Sequence, residues 1–303
     1  MSELQHAFWD EACAQALSDA SLLSAMARFE GALALASAHS GVVPDAAART
    51  IAEVAEGARF DAAALAPAAR RASTLAIPFV KQLTEKVAVV SPEAARYVHF
   101  GATSQDVIDT GVALCLIPAA GRVLSLSKRL GDAAAVLSQR HARTPMAART
   151  LLQPAVPVPF GWKAAVWLSM LARSHVRFRT AAHEACVLQF GGAGGTLSAY
   201  AEKGDAIAEA LVAEHERGLG QWQSQWFTLR DLLCSAGSGL AAMAEVLEDL
   251  RIDEQAMLAN LDRSRGMVYS ENVSLPCRAR SASRQRMRSP RNCAGSRRAR
   301  DGT

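Results

Sequence analysis

Chemistry-bearing side chains crowd one short stretch of the chain, His99-Phe-Gly-Ala-Thr-Ser-Gln-Asp-Val-Ile-Asp-Thr-Gly111. Eleven positions from His99 to Asp109 hold an imidazole (His99), two hydroxyls (Thr103, Ser104), an amide (Gln105) and two carboxylates (Asp106, Asp109). Gly101 and Ala102 keep the backbone bare just before the polar cluster, and a helical pattern follows it. Small residues, then hydrogen-bonding groups, then a helix start make a cradle for an anionic ligand, because the unpaired N–H groups and dipole there favour negative charge. Taken alone, residues 103–108 read first as a plain helix start, with Thr103 or Ser104 as N-cap and an acidic residue in the first turn.

Three other stretches carry chemistry or close backbone approach. Arg149-Thr-Leu-Leu-Gln-Pro-Ala-Val-Pro-Val-Pro-Phe-Gly161 sets Thr150 and Gln153 in a proline-rich segment, equally readable as a loop before a helix. Glu214-His-Glu-Arg-Gly-Leu-Gly-Gln-Trp222, followed by Trp226, places two tryptophans four apart on one helix face. By itself that stretch reads as a solvated charged turn that packs its aromatics. Gly191-Gly-Ala-Gly-Gly195 is a loop whose backbone can come close to a neighbour or a ligand. A phosphate loop is disfavoured there, since no strand precedes it and no Lys-Ser/Thr follows. The seven histidines show no metal-ligand spacing; His175 and His183 lie eight apart in a helical pattern, which suits solvent-facing or packing roles.

Residues 99–110, H-F-G-A-T-S-Q-D-x-x-D-T, resemble the first substrate-binding segment of the fumarase/aspartase superfamily. The wording is most similar to the 3-carboxy-cis,cis-muconate cycloisomerase branch, and adenylosuccinate lyases have a related segment. M-A-R-F-E-G-A-L-A-x-A-x-A-x-x-G-V-V-P over 26–44 resembles the superfamily's N-terminal domain, and 73–80 is a looser match to a further pocket segment. Segment 149–161 resembles the second family segment. Many relatives place an acid–base histidine just after the Arg-Thr pair; Leu151 stands there, which agrees with the cycloisomerase branch and disfavours adenylosuccinate lyase. H-E-R-x-L-G-x-W-x-x-x-W also resembles the cycloisomerases.

The resemblance implies an all-α, fumarase/aspartase-like helical bundle, assembled as a homotetramer whose active sites combine three subunits. It implies a reversible elimination or addition on a small carboxylate substrate, run intramolecularly here to close a lactone in aromatic catabolism (the protocatechuate branch of the β-ketoadipate pathway). His99, Thr103, Ser104, Gln105, Thr150 and Gln153 would be substrate contacts. No metal or organic cofactor is implied. The superfamily's third segment, G-S-S-x-M-P-x-K-x-N, carries the serine that acts as base, yet it is nowhere in this chain. It should fall between the 191–195 loop and His215, so the catalytic residue is unknown, the central domain reads as shortened and activity as impaired. A non-catalytic oligomerising relative and an adenylosuccinate lyase-like enzyme are the alternatives.

The elements that position these groups read as helices. Half the 303 residues are hydrophobic, alanine dominates and aromatics are 6%; runs of Ala, Leu, Glu and Arg favour helix, and no period-2 strand or Asn-Gly hairpin signal stands out. Spacing predicts helices over 18–40, 45–57, 111–142 (kinked or delayed by Pro118), 162–188, 204–216, 229–250 and from 252 to 261. The expected division is an N-terminal helical domain (1–110), a shortened bundle (111–250), the start of a C-terminal domain (251–275) and a basic tail (276–303).

The net charge of +4 is set by that tail, whose nine arginines and one aspartate leave the other residues with 24 basic and 28 acidic side chains. The acidic body shows no nucleic-acid footprint. The tail reads as a disordered end, a basic binding element or, as we favour, translation in a shifted frame after Leu275, where family helices would continue. Six scattered cysteines without a C-x-x-C pair and the lack of a secretory signal suit buried thiols in the cytoplasm. No apolar run is expected to reach the roughly 20 residues of a membrane span.

Overall fold

The computed structural model describes residues 7–151, 153–200 and 221–270. Among them are nine α-helices and one two-stranded antiparallel sheet, an all-α fold. In order these are α1 (Glu11–Ala16), α2 (Asp19–His39), α3 (Asp45–Gly57), α4 (Ala62–Ala72), α5 (Ala76–Val90), α6 (Ser104–Arg140), β1 (Pro145–Thr150), β2 (Gln153–Pro159), α7 (Phe160–Ala185), α8 (Gln221–Glu248) and α9 (Glu254–Asp262), with a 3-10 turn at Ala94–Tyr97. The helix expected over 204–216 and the basic tail lie outside the described residues.

The described residues divide into two compact units. The first draws on Met1–Gly131 and Leu171–Val246. Its larger core packs Met26, Phe29 and Leu33 of α2 against Ile51, Leu65, Phe79, Leu83 and the opening of α6 at Val107 and Ile108. α2 begins because Ser18 Oγ accepts the Ser21 N–H (3.2 Å) and ends at Gly41, whose φ of +68° suits glycine. α2 and α3 approach closely at Gly31, where a Cβ would come within 3.3 Å of Ala52 Cα. A second cluster joins Cys13, Leu116, Ala119, Val123, Leu233 and Cys234. Cys13, Cys115, Cys186 and Cys234 are free thiols. Burial pushes Cys13 up to about 12 and Cys115 to about 11, so neither is a thiolate nucleophile.

The second unit draws on Asp132–Met170 and the described part of Leu247–Thr303. In it Ala147 of β1 packs on Leu261 and Val268, and Thr144 Oγ1 donates to Glu254 Oε1 (3.1 Å), with His141 Nδ1 3.1 Å from that hydroxyl.

Three sequence expectations are corrected. The proline-rich linker is a hairpin, with Pro145 opposite Pro159 and Thr150 opposite Gln153; in a two-stranded sheet both strands are edges, so four prolines are tolerated without the alternation that marks a longer sheet. Pro118 does not delay α6, which runs through it from Ser104 to Arg140 and so begins at the helix start read at Thr103–Ser104, seven residues before the periodic pattern at Gly111. Pro118 is exposed, where water can take the hydrogen bond it frees. By length and composition α6 could also cross a membrane, although Val107, Ile108, Leu116, Ala119, Val123 and Leu126 are buried in this protein.

α6 starts early because Asp106 organises its first turn. This fully buried carboxylate accepts three backbone N–H groups, from Thr103 (3.0 Å), Gly191 (3.1 Å) and Gly192 (2.9 Å). One turn on, Thr110 Oγ1 donates to the Gln189 carbonyl (3.0 Å) and accepts the Gln189 N–H (3.1 Å). Two residues at i, i+4 on one helix face therefore hold the whole 189–192 segment. The N–H groups of Gly191 and Gly192 are spent on Asp106, and that of Gly195 on the Gly192 carbonyl.

A comparable clamp fixes α1. Asp10 caps Cys13 N–H (3.0 Å), its own N–H donates to the Cys234 carbonyl (3.1 Å), and Arg122 donates to both carboxylate oxygens from Nε and Nη2 (3.2, 3.1 and 2.9 Å). Burial pushes the Asp10 carboxyl up, but the Arg122 hydrogen bonds and charge with the Cys13 amide outweigh it and hold it below its ordinary value. A carboxyl lowered in the folded state adds stability above its unfolded value of about 4, and that stability is lost as pH falls through the lowered folded value. Asp10→Asn keeps the cap and gives up the ion pair. Because Arg122 is 40% exposed and screened by solvent, urea unfolding at pH 7 should show a loss of about 1–2 kcal/mol. The gap to wild type should narrow below about pH 4; an equal gap at pH 7 and pH 3 would exclude this ion pair as its source. Asp106→Asn puts an NH₂ against backbone donors. It should cost about 2–3 kcal/mol and speed hydrogen exchange at the Gly191 and Gly192 amides, and unchanged exchange there would refute the clamp.

Candidate functional site

Thr103 occupies the N-cap position of α6, its carbonyl accepting the Val107 N–H (3.3 Å). The side-chain cap comes from Asp106, which reaches back to the Thr103 N–H (3.0 Å), and not from the Thr103 or Ser104 hydroxyls expected to serve as N-cap. Thr103, Ser104 and Gln105 are each half-buried, and their side chains make no hydrogen bond among the described residues. Three neutral polar groups, partly withdrawn from water and unengaged, stand at the N-terminal end of a 37-residue helix, where partial positive charge gathers.

His99 enters this corner in a left-handed conformation, φ +60°. Its Nδ1 lies 2.6 Å from Oε1 of Glu30 on α2, whose side chain is 0% exposed. Gly101 follows at φ +71°. A Cβ there would meet the Tyr200 ring at 2.5 Å and Ala199 Cβ at 2.9 Å, so only glycine lets the backbone pass. The Tyr200 hydroxyl donates to the Phe100 carbonyl (3.0 Å) and lies 2.8 Å from Ser37 Oγ. Burial pushes the Tyr200 phenol above its ordinary value. The Tyr200 ring meets Phe100 and Phe190 edge-on, with centroids 6.4 and 5.6 Å away. The loop that offers His99 is thus held by hydrogen bonds, aromatic packing and a glycine.

His99, Thr103, Ser104 and Gln105 are brought together at one helix start in the first unit. Thr150 and Gln153 belong to the second unit, facing each other as the last pair of the hairpin and both exposed. Leu151 beside them is 96% exposed at φ +48°. The His215-Glu-Arg217 stretch lies outside the described residues. Trp226 lines an apolar cavity of about 330 Å³ with Leu22, Leu116 and Arg230. His175 takes a packing role, with Nδ1 3.2 Å from Ser127 Oγ.

Glu30, Tyr200 and Thr110 were not singled out from the sequence. Only Glu30 left a signal, as an acid set among Met26, Phe29 and Leu33 on the apolar side of α2. Tyr200 and Thr110 act across gaps of 100 and 79 residues.

The comparisons with known proteins bear on the chain's family and fold. A family model described as "Lyase" matches residues 2–258. The 3-carboxy-cis,cis-muconate cycloisomerase of Bradyrhizobium diazoefficiens is 47% identical over 229 residues, covering 76% of this chain and 50% of that protein. Nitrosuccinate lyase of Streptomyces davaonensis is 38% identical over 89% of this chain and 60% of its own length. The chain thus spans about half the length of the curated relatives it matches most strongly. The cycloisomerase of Pseudomonas putida is 30% identical over 364 residues, covering 88% of this chain and 86% of that protein. That match is longer than the chain itself, so within it the relative carries residues that this chain lacks. The crystal structure of the P. putida 3-carboxy-cis,cis-muconate lactonizing enzyme superposes with a TM-score of 0.85 at 30% identity, covering 92% of this chain and 84% of that one. On the family match, the relatives and the shared helical fold, the chain belongs to this lyase family, within the fumarase/aspartase superfamily and of enzymatic lineage.

Proposed function

We propose that the start of α6 binds a small carboxylate substrate of the 3-carboxymuconate type, and that the lineage's reaction is lactone closure in aromatic catabolism. The observation that carries this reading is the set of half-buried, unengaged side chains of Thr103, Ser104 and Gln105 beside His99. In that reaction a substrate carboxylate oxygen adds across a carbon–carbon double bond. The electron pair passes into a neighbouring carboxylate as an aci-carboxylate, and the adjacent carbon takes up a proton. Hydrogen-bond donors placed where that charge develops lower the barrier, and holding both reacting groups in one pocket supplies the effective concentration. Thr150 and Gln153 are proposed as further substrate contacts.

The same reading makes this chain a poor catalyst. The G-S-S-x-M-P-x-K-x-N loop is absent from the sequence, and with it the serine base and the lysine and asparagine that clamp the substrate. A group that acts as base in the elimination direction returns the proton to carbon when the lactone closes, and loss of such a general acid–base group costs about 10²–10⁴-fold in rate. We further propose a cytoplasmic homo-oligomer, a tetramer by resemblance. Trp162, Val166 and Met170 expose an apolar stripe at i, i+4 spacing on α7 of the kind that associates or aggregates. Light scattering of the chain should show an oligomer; a well-behaved monomer would overturn the proposed assembly.

Calorimetry and a turnover assay with 3-carboxy-cis,cis-muconate test the site. The chain should bind it weakly and turn it over about 10²–10⁴-fold below ordinary enzyme rates. Thr103→Ala combined with Ser104→Ala should abolish binding, since each hydrogen bond to a charged group is worth about 1.5–3 kcal/mol. Full turnover would refute the reading of the missing loop, and unchanged affinity in the double variant would return the segment to a plain helix start.

A further inference from the structure

We infer that Glu30 is a positioning residue: it holds the His99 imidazole so that Nε2 is the atom presented to a ligand at the start of α6. This rests on the pocket reading above. Glu30 lies within the apolar stripe of α2, in the same core as Met26, Phe29 and Leu33, with its side chain fully covered. A carboxylate placed there gives up its hydration and must recover it through hydrogen bonds. The recovery is incomplete. Oε1 lies 2.6 Å from His99 Nδ1, while Oε2 is buried with no hydrogen-bond partner among the described residues. A leucine or methionine would fill the same space without that penalty, so packing does not account for an acid at this position.

His99 is also bent to meet it, with its backbone in the left-handed region that a non-glycine residue seldom occupies. Two unfavourable arrangements, a half-satisfied buried acid and a left-handed histidine, therefore converge on one short contact. Strain of this sort persists where surrounding structure enforces it, and Tyr200 supplies that enforcement through the Phe100 carbonyl next in the chain.

The contact selects between the two ring nitrogens. An ionised carboxylate only accepts, so Nδ1 donates to Glu30 and the ring plane is fixed. The nitrogen left over is Nε2, which bonds no described residue, and the side chain is 18% exposed. Metal-bound histidines are oriented in the same way, by a carboxylate on the nitrogen facing away from the metal; here the open nitrogen would face an anion. Residues 99–105 contain no lysine or arginine, and Thr103, Ser104 and Gln105 are neutral. His99 is thus the one side chain of that segment able to offer positive charge to a carboxylate, and Glu30 decides which way it points.

The test uses the full chain with its histidines labelled at both ring nitrogens, and the variants Glu30→Gln and Glu30→Leu. In the wild type, nitrogen NMR should show one His99 form with Nδ1 hydrogen-bonded. Both variants should keep their helical circular dichroism, lose that single form, and bind 3-carboxy-cis,cis-muconate about tenfold more weakly. A packing role alone would be rescued by Leu and would leave the ring nitrogens unchanged. Should Glu30→Leu fail to fold, the near-isosteric Glu30→Gln gives the same readings. An unaltered His99 nitrogen pattern in a folded variant overturns the inference. If the wild type binds no tricarboxylate the pocket reading fails separately, and the nitrogen pattern still decides whether Glu30 sets the ring.

Discussion

A single buried carboxylate organises the part of this fold on which a function could be built. Asp106 sits at the third position of α6 and accepts N–H groups from the turn before the helix and from the glycine loop some 85 residues later. In a low-dielectric interior such charge-assisted bonds are strong, and an unmet partner is costly. The glycines are needed for this contact and not for a phosphate. Gly192 has φ +71°, and a Cβ on it would sit 3.1 Å from the Gly101 carbonyl oxygen, so two stretches of bare backbone pass each other beneath the carboxylate. By taking the capping role itself, Asp106 leaves the Thr103 and Ser104 hydroxyls uncommitted. The helix start and the proposed anion cradle are therefore one arrangement.

Local rules are broken around the same corner and largely kept elsewhere. His99 and Gly101 are left-handed, Glu30 is buried with one oxygen unpaired, and Tyr200 reaches across the loop to hold it. Departures from local preference that neighbouring structure enforces are expected at functional sites. Two other polar clusters are satisfied joints. Asp10 and Arg122 meet in a bidentate pair that ties α1 to α6, while the Thr144 hydroxyl sits between His141 and Glu254 in the second unit. Each of these holds elements in place.

Membership in the lyase family and the partial coverage of its relatives have a physical consequence. A superfamily bundle is a set of long helices that cover one another, and a chain that lacks an internal stretch of its P. putida relative also lacks the neighbours for some of those faces. The exposed Trp162, Val166 and Met170 on α7, and Phe227, Leu232 and Met243 on α8, are large apolar side chains that isolated soluble helices rarely present in such number.

The all-α class, most helix positions and the candidate residues at the start of α6 were legible in the sequence, and the family was legible in the resemblance of its motifs. The helix positions and the candidate segment follow from local signals: 3.6-residue periodicity, the Ser18 cap, the Gly41 stop, and a dense run of polar side chains read in chain order. It did not determine the hairpin, because prolines on two edge strands mask alternation. It offered two starts for α6, at Thr103–Ser104 and near Gly111, and did not show that the cap comes from Asp106, three residues inside the helix and held by a distant loop. Only the tertiary structure decided what Glu30, Thr110 and Tyr200 do, and that the glycine loop serves Asp106. Those roles are contacts between residues 69 to 100 positions apart, and no periodicity encodes them: they exist once packing has brought the helices side by side.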